Sequence, residues 1–576
     1  MAFQDTGVFN KGQWNEIDIG KHRSNYQELK DNFELAKPML RQVQQVMAPY
    51  LGRNLSSDFD QREDEGYRKD QYRLSIRPYL ASRALTDLFS EGLTPEDRPM
   101  LAFEFEDEFL MANKEVQQWL FYVQNRVLSG FESGGFYDQS KIAYQELPIF
   151  GSANLNVSDD WDELAEQFGS NFYTDTIGEF LFGLGRANSV SVTYRRKAMT
   201  VGQIRDQFGY ENLRKNLQQM VDKGMMNKVW TMVNGIAPSK YFEPEGMGPR
   251  GMTYDNFWFP DCQYGTRSSL SQGSVGRGDN DIIKADRTDG KPNITPRWLV
   301  RGDETYGISP TIEGLNGVKM LNKMKQLQYK ALNKTIDPPS WAPMSLKPLG
   351  IRNTAGAQNY YPDYMKPDAV FQNEAINYDI RDTVEEMEKT CAEIDELLYK
   401  DVSQAMHQLA QAAPNGTAYM ASKVWQEAMT RIGPVVNMLK RSFLKPAIDR
   451  QFLIELNNGR IPPPPPIVPR GMPIKIKYTS LLTRSIALIG DLNSVQEALA
   501  INGQLAQLDP TAAMLFKPFK TQTLVNNALG LNPELLQSED EYKQAVANNA
   551  KQQQMAAEMQ MAQMGADAAN KAGLTK

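Results

Sequence analysis

Apolar residues recur at helical spacing through much of the chain. Val116, Leu120, Val123 and Val127 fall at i, i+4, i+7 and i+11, which puts them on one face of a helix opening near Asn113. Leu80, Ala84 and Leu88 line a second helix over about 78–89. The stretch 24–46 also reads helical, with Pro38 expected to kink or divide it. Strand patterns follow. Ser189-Val-Ser-Val-Thr-Tyr194 alternates apolar and polar, and Phe180-Leu-Phe182 precedes it across residues 183–188, which predicts a hairpin. Thr200-Val-Gly-Gln203 is a capping box that opens a helix toward Phe208, and Val229–Val233 is a further strand. The mixture predicts an α+β body.

The second half changes style. Gly, Ser, Asp and Asn dominate from Gly265 to Thr295, which predicts a long exposed loop. A helix from Pro310 to about Asn333 carries a 4-3-4 stripe of Met320, Met324, Leu327 and Ala331, and Asp337-Pro338-Pro339 stops it. Residues 338–377, rich in proline and aromatics, form an extended module before the next helix, Tyr378–Tyr399. Its apolar positions are Ile380, Val384, Met387, Cys391, Ile394 and Leu398. The chain breaks again over Gln411–Gly416. Thr417 caps a third long helix carrying Val424, Ala428, Ile432, Val435, Leu439 and Phe443, bent at Gly433-Pro434. Pro462–Pro466 is a stiff polyproline spacer about 15 Å long at ~3.1 Å per residue. Ile474–Tyr478 reads as a strand. Beyond the capping box Ser538–Glu541, a stretch dominated by Ala, Gln, Met, Asn and Glu is a helix former whose weak apolar face predicts partial disorder when alone. No internal repeat is found.

Composition narrows the function. The 576 residues hold 63 Lys+Arg against 70 Asp+Glu, a formal net charge of −7, with 41% apolar residues. That describes a foldable, soluble chain, and its mild acidity argues against sequence-independent coating of DNA. No stretch reaches the ~18 uninterrupted apolar residues of a membrane span, and 1–21 lacks the apolar core of a secretory signal. Two cysteines, Cys262 and Cys391, make neither a disulfide framework nor a four-Cys zinc site, and a reducing interior is expected. Only two histidines, His22 and His407, occur, neither inside a motif, and Gly273–Gly278 has no Lys-Ser/Thr to make a phosphate loop. An enzyme is disfavoured.

Individual candidates mostly take structural readings. Glu104, Glu106, Asp107 and Glu108 are too close in sequence to converge on two metals, and they read as a solvated turn. His407 reads as exposed and Cys391 as a small core residue. Trp119, Trp298, Trp341 and Trp425 lack interleaved Lys/Arg and read as packing aromatics. One pattern differs. Between Asp379 and Glu396 stand eight acidic residues and only two basic ones, Arg381 and Lys389. This is either a solvated face or an acidic wall that repels phosphates at close range, over a Debye length of about 8 Å.

From Tyr26 to Gly530 the chain resembles the portal, or head-to-tail connector, proteins of short-tailed double-stranded DNA phages. The resemblance rests on Arg297-Trp298, Glu304-Thr-Tyr-Gly-Ile-Ser-Pro310 with Leu321-Asn322, and Asp337-Pro338-Pro339. It continues in Thr417-Ala-Tyr-Met-Ala-Ser-Lys-Val-Trp-Gln-Glu427, Ile432-Gly-Pro-Val435, Pro446, Gly459-Arg-Ile-Pro462 and Ile476-Lys-Tyr-Thr-Ser480. Phe150-Gly-Ser-Ala-Asn-Leu155 and Met199-Thr200…Gln203…Phe208-Gly209 fit as well. Where the family has Thr-Ala-Thr-Glu-Val, this chain has Thr417-Ala-Tyr-Met-Ala-Ser-Lys-Val424 and lacks the acid.

The resemblance implies an α+β portal fold that forms rings, typically dodecamers, at one capsid vertex. Its parts would be an α/β wing (1–309), stem helices (310–333 and 378–399), a small α/β clip (334–377) and a tunnel loop (400–416). A wing helix with the C-terminal wing and crown (417–537) and a crown or barrel tail (538–576) complete it. It implies a non-enzymatic conduit for packaging and ejection of double-stranded DNA, with no cofactor, no metal and no membrane. Asp382, Glu385, Glu386, Glu393 and Glu396 would form the tunnel wall, and Lys400, Gln404, His407, Gln408, Gln411 and Asn415 the tunnel loop. Trp341, Lys347, Arg352, Tyr360, Tyr361 and Lys366 of the clip would dock the terminase large subunit and, later, tail adaptor or nozzle proteins. The wing would meet the major capsid protein and scaffold. The implied location is the virion, after assembly in the host cytoplasm. An internal scaffold or core protein, suggested by the tail, and a DNA-packaging enzyme are the competing classes.

Overall fold

Asp18 opens α1 (Ile19–Val46), since its carboxylate accepts from Lys21 N at 3.1 Å and caps the helix. The computed structural model describes residues 17–47, 55, 73–162, 167–213, 215–240, 242, 251–261, 283–336, 340–343, 358–361, 364, 380–411, 417–469 and 471–483. The chain falls into two units, Met1–Ser480 and Leu481–Lys576, and every element below belongs to the first. Pro38 does not divide α1, because Phe33 on one side and Leu40 and Val43 on the other enter the same core. In α2 (Arg77–Leu93) the buried face is Pro78, Ala81, Leu85, Leu88 and Phe89. Leu80, expected to point inward, is 47% exposed, so the real face is rotated from the expected one. After β1 (Leu101–Glu104) and the single turn α3 (Glu108–Met111) comes α4 (Lys114–Ser133), capped by Asn113 and burying all four residues of the expected stripe. α5 (Phe136–Phe150) follows.

Two antiparallel sheets form the body. β2 (Asn154–Asp162) lies between β3 (Gln167–Asp175) and β9 (Asn293–Ile294). A five-stranded meander runs β4 (Phe180–Leu184), β5 (Val190–Thr200), β6 (Val229–Pro238), β7 (Tyr254–Pro260) and β8 (Lys284–Thr288). The expected β4–β5 hairpin is present, and β6 runs five residues past its expected end. The capping box at Thr200 and Gln203 has both hydrogen bonds and opens α6 (Val201–Phe208). With α7 (Lys215–Asp222) it encloses a small apolar cluster around Ile204, Phe208, Leu217 and Met232. The expected loop to Thr295 is corrected in its last part. Residues 283–295 carry β8 and β9, where Ala285 and Arg287 point inward and Arg287 Nε meets its cross-strand partner Asp255 at 2.7 Å. The loop's earlier part, 265–282, lies outside the described residues.

Among the described residues the second half is mainly helical: α8 (Pro310–Glu313), α9 (Leu315–Ile336), α10 (Ile380–Leu397), α11 (Lys400–Gln411), α12 (Thr417–Leu439) and α13 (Lys445–Asn457). Short strands β10 (Ser340–Pro343) and β11 (Gln358–Tyr361) pair in parallel, and β12 (Lys475–Tyr478) closes antiparallel on β1. Gly433-Pro434 lies inside α12. A π-turn follows at Lys440–Leu444, just before Pro446, whose missing N–H and ring leave no room for an ordinary i→i−4 bond. The helix expected as 310–333 is split at Gly314, where a Cβ would strike Leu397. Its expected apolar stripe is also corrected. Leu315, Val318 and Leu321 are the buried residues, whereas Met320 and Leu327 are 49% and 52% exposed. The main core joins α1, β4–β8, α9 and α10.

Candidate functional site

Two signature segments far apart in sequence meet between α5 and α8. Gly151 (φ +82°) and Gly307 approach so closely that a Cβ on either would strike the other's backbone. Trp298 N donates to Gly151 O at 2.8 Å, and Gly307 N donates to Ser152 Oγ at 2.8 Å. Ser309 caps α8 by accepting from Ile312 N at 3.0 Å, and its hydroxyl donates to Ile149 O at 2.8 Å. Arg297 Nη1 reaches the carbonyls of Glu304 (3.3 Å) and Thr305 (3.2 Å), and Nη2 that of Asn188 at the β4–β5 turn. These residues brace the start of α9.

Asn322 performs a second bracing task. Buried on α9, its Oδ1 accepts from Leu74 N (2.8 Å) and Ser75 N (2.9 Å), fixing the entry to α2. Gly314 lies against Leu397 and Gly317 against Ile394, so the beginning of α9 meets the end of α10 and the two run antiparallel. α10 turns Met387, Cys391, Ile394 and Leu398 into the core, as the periodicity predicts. Burial raises the pKa of the Cys391 thiol.

The opposite face of α10 is acidic. Asp382, Glu385, Glu386, Glu388, Glu393 and Glu396 are all exposed. Glu385 pairs with Lys389 (2.9 Å) and Glu396 with Arg431 (3.4 Å). Asp395 stands apart. Half-buried, it accepts from Arg77 Nη2 at 2.8 Å and Nε at 3.2 Å and from Lys400 Nζ at 2.9 Å, joining α2, α10 and α11. The Arg77 pKa is raised, chiefly by its hydrogen bond to Asp395. Between α10 and α11 the chain turns at Tyr399, whose φ of +54° is the left-handed region usually left to glycine, and whose ring packs on Trp298.

Of the segment expected as the tunnel loop, 400–411 is described and 412–416 lies outside the described residues. Lys400–Gln411 is helical, because the turn at Tyr399 resets the axis and lets Val402 and Ala405 face the core on a new helix. Lys400 is a structural ion-pair partner, Gln404 is exposed, and His407, Gln408 and Gln411 are placed on α11 by backbone only. Asn415 lies outside the described residues. Of the module at 334–377, Trp341 lies opposite Asn359 across the β10–β11 pair, Tyr360 opposite Ala342 and Tyr361 opposite Pro343. Lys347, Arg352 and Lys366 lie outside the described residues. Among the described residues no group of His, Cys, Asp and Glu is placed to hold a metal, and Glu104 instead meets Lys477 at 3.5 Å while Asp107 caps α3. Trp119 is a packing residue, stacked on Phe105 and donating to Pro462 O at 2.9 Å. No described helix is long and apolar enough to cross a membrane.

Sequence reasoning missed Asp395, Tyr399 and Asn322 as joints, and it missed the charge of α9. That helix carries five lysines, at 319, 323, 325, 330 and 334, and no acid. Its composition alone could have shown this.

The α+β body thus braces an antiparallel pair of oppositely charged helices, lysine-bearing α9 and carboxylate-bearing α10. The family described as bacteriophage head to tail connecting protein matches residues 20–536, and the chain belongs to it. It is 25% identical to the portal protein of Salmonella phage epsilon15 over 493 residues, covering 85% of this chain and 84% of that one. It is 24% identical to the probable portal protein of Bordetella phage BPP-1 over 536 residues, covering 92% and 91%.

Proposed function

We propose that this protein is a phage portal: a ring of identical copies at one capsid vertex through which double-stranded DNA enters and leaves. The family match across 20–536, with relatives named portal proteins over most of their length, carries this reading. The parts follow. α8–α9 and α10 are the stem, and the segment between them, with β10 and β11, is the clip that engages the terminase and later the tail adaptors. The sheets and α12–α13 form the wing against the capsid and scaffold proteins, and residues beyond 480 supply the crown. The segment 400–416, helical in its first part, lies nearest the passing DNA.

The acidic face of α10 supports a bore that repels phosphate and does not grip it. Carboxylates on every copy make a fixed negative potential, felt by DNA only within about a Debye length. The protein needs no cofactor in this role, since translocation is driven by a separate ATPase. The test is a packaging assay with rings of wild-type chain and of E385K/E396K. We expect intact rings with slowed or stalled DNA entry in the variant. Normal packaging by the variant would remove the acidic bore, and a wild-type chain that stays monomeric at high concentration would remove the portal reading.

A further inference from the structure

The charged faces of α9 and α10 cannot meet within one chain. Each helix turns its other side, Val318 and Leu321 or Met387, Cys391 and Ile394, into their common core. At about 100° per residue, Lys319, Lys323, Lys330 and Lys334 occupy one outward sector of α9, about 60° wide. Met320 and Leu327 lie beside it; of the stripe Met320, Met324, Leu327 and Ala331 that the periodicity assigned to the core, Met324 packs against the core while Met320 and Leu327 are exposed. On α10 the carboxylates split into two strips. Glu385 and Glu396 already have cations on this chain, Lys389 and Arg431. Asp382, Glu386 and Glu393 fall on a neighbouring strip about 40° wide and have no ion pair among the described residues. Among the described residues Lys319 and Lys323 make only hydrogen bonds, to the amides of Gln42 (2.6 Å) and Gln326 (3.3 Å). Lys330 also has no ion pair there.

The two strips match in spacing as well as in sign. Lys319, Lys323 and Lys330 stand at i, i+4 and i+11, and so do Asp382, Glu386 and Glu393. Each spans about 16 Å at ~1.5 Å per residue. Laid antiparallel, Lys319 comes level with Glu393 and Lys330 with Asp382, and Glu386 lies within a lysine's reach of Lys323. We infer that the lysine strip of α9 docks on the Asp382–Glu386–Glu393 strip of α10 in a second copy of this chain. Met320 and Leu327 are covered at the same contact. The inference rests on the ring reading above and refines it: only the remaining strip, with Glu385, Glu388 and Glu396, faces the bore.

The experiment measures the mass of the full-length assembly by light scattering after size exclusion. The proteins are the wild type, K319E/K323E/K330E, D382K/E386K/E393K, and the six-fold swap that combines them. We expect a closed ring for the wild type, loss of most ring from each triple variant, and recovery in the swap. Circular dichroism confirms folding. Should a triple variant not fold, a disulfide ladder from K330C/D382C under oxidation, with bands at multiples of the chain mass, reads the same contact. Rings formed equally by both triple variants, a swap that stays apart, or a cross-link confined within single chains would overturn the inference while leaving the portal reading standing. A lysine strip that binds duplex DNA in the assembled wild-type ring would also overturn it, because those lysines would then face the bore. A monomeric wild type would remove both.

Discussion

Asp395→Asn tests whether the joint between α10 and α11 is held by charge. The carboxylate receives three hydrogen bonds, at 2.8 and 3.2 Å from Arg77 and 2.9 Å from Lys400. Charge-assisted bonds contribute about 1.5–3 kcal/mol each when shielded. Here the Arg77 side chain is 45% exposed and that of Lys400 26%, against 16% for Asp395, so solvent screens much of that. About 2 kcal/mol in total is the expected loss, with about 1 kcal/mol belonging to the Arg77 pair. The assay is urea unfolding of D395N, R77M and the double variant, combined as a cycle. In parallel, hydrogen exchange should show α11 amides opening faster in D395N while α4 amides are unchanged. A coupling below about 0.3 kcal/mol between Arg77 and Asp395, or uniform acceleration of exchange across the chain, would refute the reasoning.

Three further perturbations probe the body. Burial, with Arg297 nearby, pushes the Lys291 pKa down to about 8, so its charge opposes folding below that value. The cost is relieved as pH climbs from about 8 toward the unfolded value of 10.5, so wild-type stability should rise by about 3 kcal/mol over that window. Lys291→Met should lack this rise when unfolding is compared at several pH values. Glu146 behaves with the opposite slope: burial first, then Glu179, raise its pKa well above 4.5, and its stabilising neutral form is lost as pH climbs. Glu146→Gln should therefore flatten the fall in stability above about pH 4.5, measured by thermal unfolding against pH. Gly307→Ala should cost about 3 kcal/mol or abolish soluble expression, because its methyl meets the Gly151 backbone, which cannot shift as a side chain would. A melting temperature equal to wild type would show that the two loops are not held together.

What could be read from the sequence was local, and what could not was set by partners. The α4 stripe, the capping box at Thr200 and the α10 face are decided within one or two helical turns, and each is where periodicity puts it. β8 was concealed because one of its inward residues is Arg287, a residue of exposed loops by type, neutralised here by an aspartate on β7. α11 was hidden by Tyr399, since nothing in the sequence marks a tyrosine for a left-handed turn. The resemblance motifs were legible as words but not as contacts. Gly151 and Gly307 stand far apart in the chain, and only the fold shows that each is glycine because of the other. The α9 stripe is a different case. Periodicity marked Met320 and Leu327 as buried, and they are uncovered in the isolated chain.

That discrepancy bears on how a ring of this chain would close. An exposed ion pair contributes only about 0.2–1 kcal/mol, and three of them hold two copies weakly against the loss of translational freedom. A closed ring differs from a chain of copies because it has no end at which the lysine strip and the acidic strip remain unmatched. The last subunit makes two contacts for one loss of freedom, so closure is favoured over open chains even when each contact is weak. Weak contacts also let a misplaced copy leave before closure. Covering Met320 and Leu327 adds an apolar contribution that salt does not screen, so raising the ionic strength to about 1 M, where the Debye length is near 3 Å, should slow assembly more than it dissociates finished rings. Following ring formation and ring loss separately by light scattering in low and high salt checks this. Finished rings that fall apart as readily as assembly is blocked would mean that the ion pairs alone hold the copies together.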